Sequence, residues 1–285
     1  MLEMVFWDVQ HGNSTYIKTP GNKHIVIDLG VGSYIGRNTN FSPLLHLKKI
    51  YQISSIDEVI ITHPHTDHID DILNFDELNP KVLRIPSHLS ENDIRNANPS
   101  SDAIKIDKYL EISRRYIFPV SDKDNPTLPS NNGGVSFKFF STPNCGKSNI
   151  NNHSIVTIIE YLGIKVTIPG DNESASWKEL LQNQSFTNAV SGTNILLASH
   201  HGRESGYCSE LFDYFSPNLV IISDGAAVET SVTDKYRNAA SGWDVKKRSD
   251  ASYIKRYCLT TRNDGTIVVK MWNENQTNYL DVSIE

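Results

Sequence analysis

The sequence predicts a large layered α/β domain, and two observations carry that expectation. Apolar runs of strand length alternate along the chain with segments of helical composition. Three of those runs end in a metal-type residue before the next element, at Ile61/His63, Ile168/Asp171 and Leu197/His200. Strand ends that meet at one sheet edge build one site. At 285 residues the chain is long for an ordinary domain but suits one large domain spanning residues 1–285.

In order, residues 5–9 and 14–18 read as strands flanking the tight connection Gln10-His11-Gly12-Asn13. Pro20-Gly21-Asn22 turns the chain into a strand at 24–28. Ser42 followed by Pro43 marks an N-cap and first helical position, opening a helix to about residue 51. A strand at 56–61 and a helix at 69–78 follow. Residues 87–134 are rich in Asn, Ser, Asp and Pro, with one helix from 103 to about 116. They read as an insertion shaping a substrate cleft, or as a decorated connection. Strands return at 135–140, 154–161, 165–168, 195–198, 219–222 and 266–271, with helices at 174–181 and around 245–257.

Composition narrows the class. With 38% hydrophobic and 21% charged residues the chain is globular. Cys145, Cys208 and Cys258 are widely spaced and odd in number, which argues against a disulfide framework. The start has no basic leader region, and no apolar run approaches the roughly eighteen residues of a membrane helix. The expectation is a reduced cytoplasmic protein with no membrane association. A net charge of −6 argues against an extensive basic surface for nucleic acid. It does not exclude a phosphodiester, because two divalent ions would leave their own site positive.

The densest signal is Thr62-His63-Pro64-His65-Thr66-Asp67-His68, directly after Val59-Ile60-Ile61. Three imidazoles and a carboxylate at one strand end suit Zn²⁺ and neighbouring divalent ions. Four ligands already exceed what one open catalytic ion needs once others join, so the spacing points to two metals. A binuclear site also needs a carboxylate able to bridge and a further imidazole. The chain offers Asp171 in Pro169-Gly170-Asp171-Asn172, and His200 or His201 in Ser199-His200-His201-Gly202.

This ordered set, His63-x-His65-x-Asp67-His68, then Asp171, then His201-Gly202, resembles the metallo-β-lactamase superfamily. Within it the chain is similar to the hydrolase domain of ComEC-like competence proteins and their stand-alone relatives. The shared stretches are Phe6-Trp7-Asp8-Val9-Gln10-His11-Gly12-Asn13-Ser14, Asn152-His153-Ser154-Ile155-Val156 and Thr261-Arg262-Asn263-Asp264-Gly265-Thr266-Ile267. The resemblance covers most of the chain outside 87–134. It implies a four-layer αββα sandwich with metals at one edge. It also implies that His63 and His65 hold one ion, Asp67, His68 and His201 the other, and Asp171 both. His153 stands open between a further ligand and a polar residue lining the site. His201 is assigned to metal and His200 to support or proton transfer, the reverse being the alternative. Asp67 and His200 are the candidate catalytic groups. Where relatives carry glycines after the last histidine, this chain has Ile69-Asp70-Asp71, with Asp70 read as a solvated carboxylate. His24, His46 and His88 are read as ordinary residues, and His11 as a candidate substrate contact.

The implied chemistry is hydrolysis assisted by two divalent ions, Zn²⁺ with Mn²⁺ as the alternative, through water ionised between them. The familiar zinc β-lactamases keep a cysteine where Asp171 stands, so the resemblance favours a phosphodiesterase or nuclease acting on DNA or RNA. The alternatives are a thioesterase-like or lactonase-like hydrolase, and an effector subunit that needs a protein partner in a defence or DNA-uptake complex. Lys246-Lys247-Arg248 and Lys255-Arg256 read as a solvated helix face or as a phosphate-tracking run.

Overall fold

Alternation along the strands decides the architecture. In Leu219–Ile222, Leu219 and Ile221 enter one core while Val220 and Ile222 enter another. In Leu2–Phe6, Leu2, Met4 and Phe6 join that first core while Val5 faces a third. Each sheet is therefore buried on both faces, one against the other sheet and one beneath helices, which gives an αββα sandwich. The structure, a computed structural model, describes residues 1–33, 40–225 and 231–285.

Among the described residues the first sheet has nine strands. Their order is Tyr253–Arg256, Trp243–Lys247, Thr277–Ile284, Ile267–Glu274, Leu2–Phe6, Thr15–Lys18, His24–Ile27, Glu58–Ile60 and Val82–Arg84. The second has six, in the order Cys258–Thr260, Leu219–Ile222, Ile195–Leu197, Ile164–Ile168, Val156–Tyr161 and Ser136–Phe140. His24–Ile27, Glu58–Ile60 and Val82–Arg84 run parallel, as do the four strands from Ile164–Ile168 to Cys258–Thr260. Parallel runs carry their C-terminal ends to a common edge, where loops can assemble a site. No helix among the described residues is long and apolar enough to cross a membrane.

Local chemistry explains most boundaries. The Ser42 side chain accepts from the Leu45 amide and caps the helix Pro43–Lys49. The helix expected at 69–78 is instead interrupted: Thr66–Ile69 is α-helical and Ile72–Leu78 is a 3₁₀ segment. The reason lies at His68, whose carbonyl accepts from Leu29 N (2.8 Å) rather than continuing the helix. Asp71 then turns its carboxylate to Ser42 Oγ, Leu44 N and Asn74 Nδ2.

The helix expected around 245–257 is an antiparallel hairpin of Trp243–Lys247 and Tyr253–Arg256. Its signal was period two, with Val245 in the core and Trp243 packed against it. Asp250 accepts from Ser252 N and Oγ to make the turn, with Ala251 at φ 60°. The basic run thus lies on this hairpin, Tyr253–Arg256 being the edge strand, with Arg256 paired to Asp264 and Arg248, just past its strand, to Glu285. Residues 87–134 contribute the helices Glu91–Ala97 and Ala103–Ser113, whose Ile94, Ile106, Tyr109 and Ile112 are buried against the first sheet.

Trp177 joins this scaffold to the site. It is buried in the helix Ser174–Leu181, and its Nε1 donates to Gly206 O (3.0 Å), in the loop that follows His201. Trp177→Phe is expected to lose about 1–3 kcal/mol of stability from the unpaired carbonyl. Trp177→Ala is expected to lose about 3–5 kcal/mol. Denaturant titration of the two variants checks both values.

Candidate metal centre

The parallel strand ends deliver four loops to one place. The first follows Glu58–Ile60 and carries His63 to His68. It is held from below by Gly12, which sits at φ +136°, with Asp67 O only 2.4 Å from where a Cβ would stand. Only glycine allows that approach. The second, after Ile164–Ile168, carries Asp171, whose amide donates to Ser154 Oγ. The third, after Ile195–Leu197, places His200 and His201 at φ 49° and 54°, both left-handed. The fourth, after Leu219–Ile222, supplies the Ser223 carbonyl.

Asp67, His68, Asp171 and His201 each aim one ligand atom so that all four lie within 4.8 Å of one another. His68 Nε2 is 3.2 Å from Asp171 Oδ1. His201 Nε2 is 3.2 Å from Asp67 Oδ2 and 3.3 Å from Asp171 Oδ2. The two Nε2 atoms face each other at 3.4 Å.

The opposite ring nitrogens settle the tautomers. His201 Nδ1 donates to Ser223 O (2.9 Å), and His68 Nδ1 donates to the Asp28 carboxylate (2.8 Å). A neutral imidazole whose Nδ1 donates keeps a lone pair on Nε2. In their neutral forms the two imidazoles therefore turn lone pairs toward the two carboxylates, and four ligand atoms converge. That donor set fits a divalent cation.

The ionisation of the cluster tells the same story. Burial would lower the His201 imidazole, but Asp171 and Asp67 push it up to about 10. Burial opposes His68 too, yet Asp171, Asp28 and Asp67 hold it well above 6.5. Burial would raise Asp171, but His201 and His68 hold it well below its ordinary range. Without metal, protons supply the positive charge these carboxylates require.

His63 and His65 form an adjoining pair, with His63 Nε2 3.0 Å from His65 Nδ1 and the His63 ring 4.2 Å from that of His68. Burial and then His68 push His63 well below 6.5, which keeps its lone pair free. His153 does not join either group. The turn Ile150–His153 sends it to His88, whose Nε2 lies 2.8 Å from His153 Nδ1. Asn151, two residues earlier, lines the cleft instead, its side chain within hydrogen-bonding reach of His65 and donating to Glu173. His200 lies outside the four-ligand group. Its Nδ1 contacts Ser205 Oγ (2.8 Å) and Glu173 Oε1 (3.2 Å), and its Nε2 is 3.9 Å from Asp171 Oδ2. His11 stands at the rim, 3.4 Å from Asp67 Oδ2, and burial with His201 lowers it to about 4. Asp70 turns away and pairs with Lys105.

Sequence reasoning missed Asp28, Asn151, Glu173 and Arg203. Asp28 had a usable signal, since it ends a strand paired in register with the one that feeds the histidine loop. The other three had none beyond their neighbourhood.

Asp28→Ala is expected to weaken metal binding by about 10- to 100-fold by releasing the His68 ring, read by competition with a chelator. Metal loading at pH 7 is expected to release protons, since His68 and His201 are protonated without it. Calorimetry in two buffers of different ionisation heat measures the number released. In the metal-free protein the raised His201 pKa stabilises the fold fully below 6.5. That contribution is lost as pH rises through about 10, so denaturant midpoints are expected to fall across that window.

Comparison with known proteins agrees with this geometry. Residues 7–155, more than half of the chain, match the model of the metallo-beta-lactamase superfamily. The transcription termination factor FttA of Methanosarcina mazei is 35% identical over 57 residues, which are 20% of this chain and 9% of that factor. A metallo hydrolase from the archaeon Ignicoccus hospitalis superposes with a TM-score of 0.50 at 13% identity, covering 94% of this chain and 99% of its own. The metallo-beta-lactamase fold protein YhfI of Bacillus subtilis gives 0.46 at 13% identity, covering 94% and 98%. With the αββα layers and the carboxylate–imidazole cluster at their shared edge, the sequence match shows that the chain belongs to the metallo-β-lactamase superfamily.

Proposed function

We propose that the protein is a two-metal phosphodiester hydrolase. The observation that carries this reading is the cleft over the cluster. It is an open groove of about 440 Å³ whose lining side chains, among the described residues, are mostly polar, such as His65, Thr66, Asn98, Asp102, Asn151 and Arg203. The small Ala97 and Pro99 stand beside them, although the surface they all present is carbon as much as nitrogen and oxygen. An acyl thioester or an acylated lactone would need an apolar slot for its chain. The resemblance of residues 6–14 and 152–156 to ComEC-like hydrolase domains, a narrower likeness than the superfamily match, favours the same choice.

His63 and His65 would hold one ion, Asp67, His68 and His201 the other, and Asp171 both, with Zn²⁺ the first candidate and Mn²⁺ the second. When bound, the pair supplies Lewis acidity and lowers the pKa of water. The chain's own residues do the rest. Asp67, its side chain 25% exposed, faces the cleft and accepts a hydrogen bond from the attacking water. Glu173 and Ser205 fix the His200 ring from its Nδ1 side. That leaves His200 Nε2 near Asp171 to give a proton to the departing oxygen. His153, held by His88, supports the turn that presents Asn151.

Metal analysis coupled to a panel of single- and double-stranded DNA, RNA, a chromogenic phosphodiester, a thioester and a lactone tests the assignment. Diester cleavage is expected within this panel, with His63→Ala and Asp171→Ala at background. His200→Ala is expected to lower kcat by about 10²- to 10⁴-fold with metal content retained. Turnover of the thioester or lactone with none of the diesters would overturn the reading.

A further inference from the structure

Arg203 lies at the mouth of the cleft, half-buried, two residues after His201. Among the described residues its guanidinium has no carboxylate partner, although Asp67 and Asp171 line the same groove. Its Nη1 is 3.4 Å from His200 Nε2 and its Nη2 is 3.4 Å from His11 Nε2. Both contacts are long for hydrogen bonds, and neither ring offers the guanidinium a negative charge. A phosphate oxygen offers shorter, charge-assisted bonds to the same two donors. The backbone holds the residue in place. Arg203 N donates to His200 O (3.0 Å), Arg203 O accepts from Gly206 N (3.1 Å), and the residue bridges to Ser231. The guanidinium is therefore aimed at the groove by two pinned peptide groups.

The opposite wall has the reverse character. Asp102 accepts from Thr66 Oγ1 (2.7 Å), and Asn98 donates to Pro64 O, so this side offers a carboxylate and amides. A second phosphate there would meet a negative charge, while a sugar hydroxyl or base amine would find acceptors.

We propose that Arg203 grips the non-bridging oxygens of a short phosphodiester, whose uncharged, hydrogen-bonding end rests on the Asn98–Asp102 wall. This rests on the phosphodiester reading above and deepens it. It names Arg203 as the residue that selects an anionic group, and it makes internal linkages of a long polyanion poor substrates. Arginine is required because the two terminal nitrogens act as a fork.

The test compares the metal-loaded protein with Arg203→Gln and Arg203→Lys, with metal content measured in each. Calorimetric binding of inorganic phosphate is one readout. Kinetics with bis(p-nitrophenyl) phosphate, p-nitrophenyl acetate, a dinucleoside monophosphate and long single-stranded DNA is the other. In Arg203→Gln, phosphate affinity is expected to fall and the diester KM to rise by about 10- to 100-fold. Metal content and any turnover of the neutral acetate are expected to stay at the wild-type level. The lysine variant recovers part of the loss, and the dinucleoside monophosphate outpaces internal cleavage of the long strand. Unchanged phosphate binding in Arg203→Gln, or an equal loss on the neutral ester, overturns the assignment of Arg203. Internal cleavage of the long strand at the dinucleotide rate overturns the short-substrate half. If the wild type cleaves no diester yet Arg203→Gln still loses phosphate affinity, the phosphodiester reading fails and the anion subsite stands.

Discussion

The buried Asp28 carboxylate is the interaction on which the site depends. It is fully enclosed at φ 59°, just past the strand His24–Ile27. One oxygen accepts from Thr62 N at 2.7 Å, and the other accepts from Thr62 Oγ1, Asn13 Nδ2 and His68 Nδ1 at 2.8–3.0 Å. Three separate segments are tied to one group by these bonds. A carboxylate this deeply buried is costly without such donors. The requirement also fixes which nitrogen of His68 is left to face the cluster. Fold and chemistry thus share one constraint.

The two sheets meet at the cluster itself, where His68 Nε2 lies 3.2 Å from Asp171 Oδ1. The first sheet supplies the histidine loop and Asp28, while the second supplies Asp171 and His201. Between them lies the apolar core of Met4, Phe6, Ile27, Ile60, Val166, Ile168 and Leu197. Residues only two or three steps beyond that core, such as Thr62 after Ile60 and Asp171 after Ile168, are already polar and already in the site. Core packing therefore sets the spacing of the four ligands, and a change in the core would register at the cluster before it registered at the surface.

Much of this was legible in the sequence, for reasons that differ by residue. His63 to His68 and Asp171 stood out because ligand types followed short apolar strands, a local pattern. The αββα architecture came through the resemblance, and the alternation in Leu219–Ile222 supplies its physical basis. The edge hairpin was misread because its lysines and arginines sit at positions that suit a helix, and the deciding turn at Asp250–Ser252 is a side-chain effect. Asn151 and Arg203 were invisible for another reason. Their roles depend on partners distant in the sequence, Glu173 at 22 residues for Asn151 and His11 at 192 for Arg203.

The consecutive left-handed residues His200, His201 and Gly202 have a consequence beyond aiming two rings apart. Only the third is glycine, so two side chains are held where an L-residue is strained by about 1–2 kcal/mol each. The loop keeps this shape because Ser199 Oγ bonds to Gly170 O and Asn172 O, and Trp177 anchors the segment that follows. The most stable sequence for this backbone would not carry histidines here. Glycine at either position would relieve that strain and take an imidazole out of the cleft, so local stability and the chemistry of the site pull in opposite directions here.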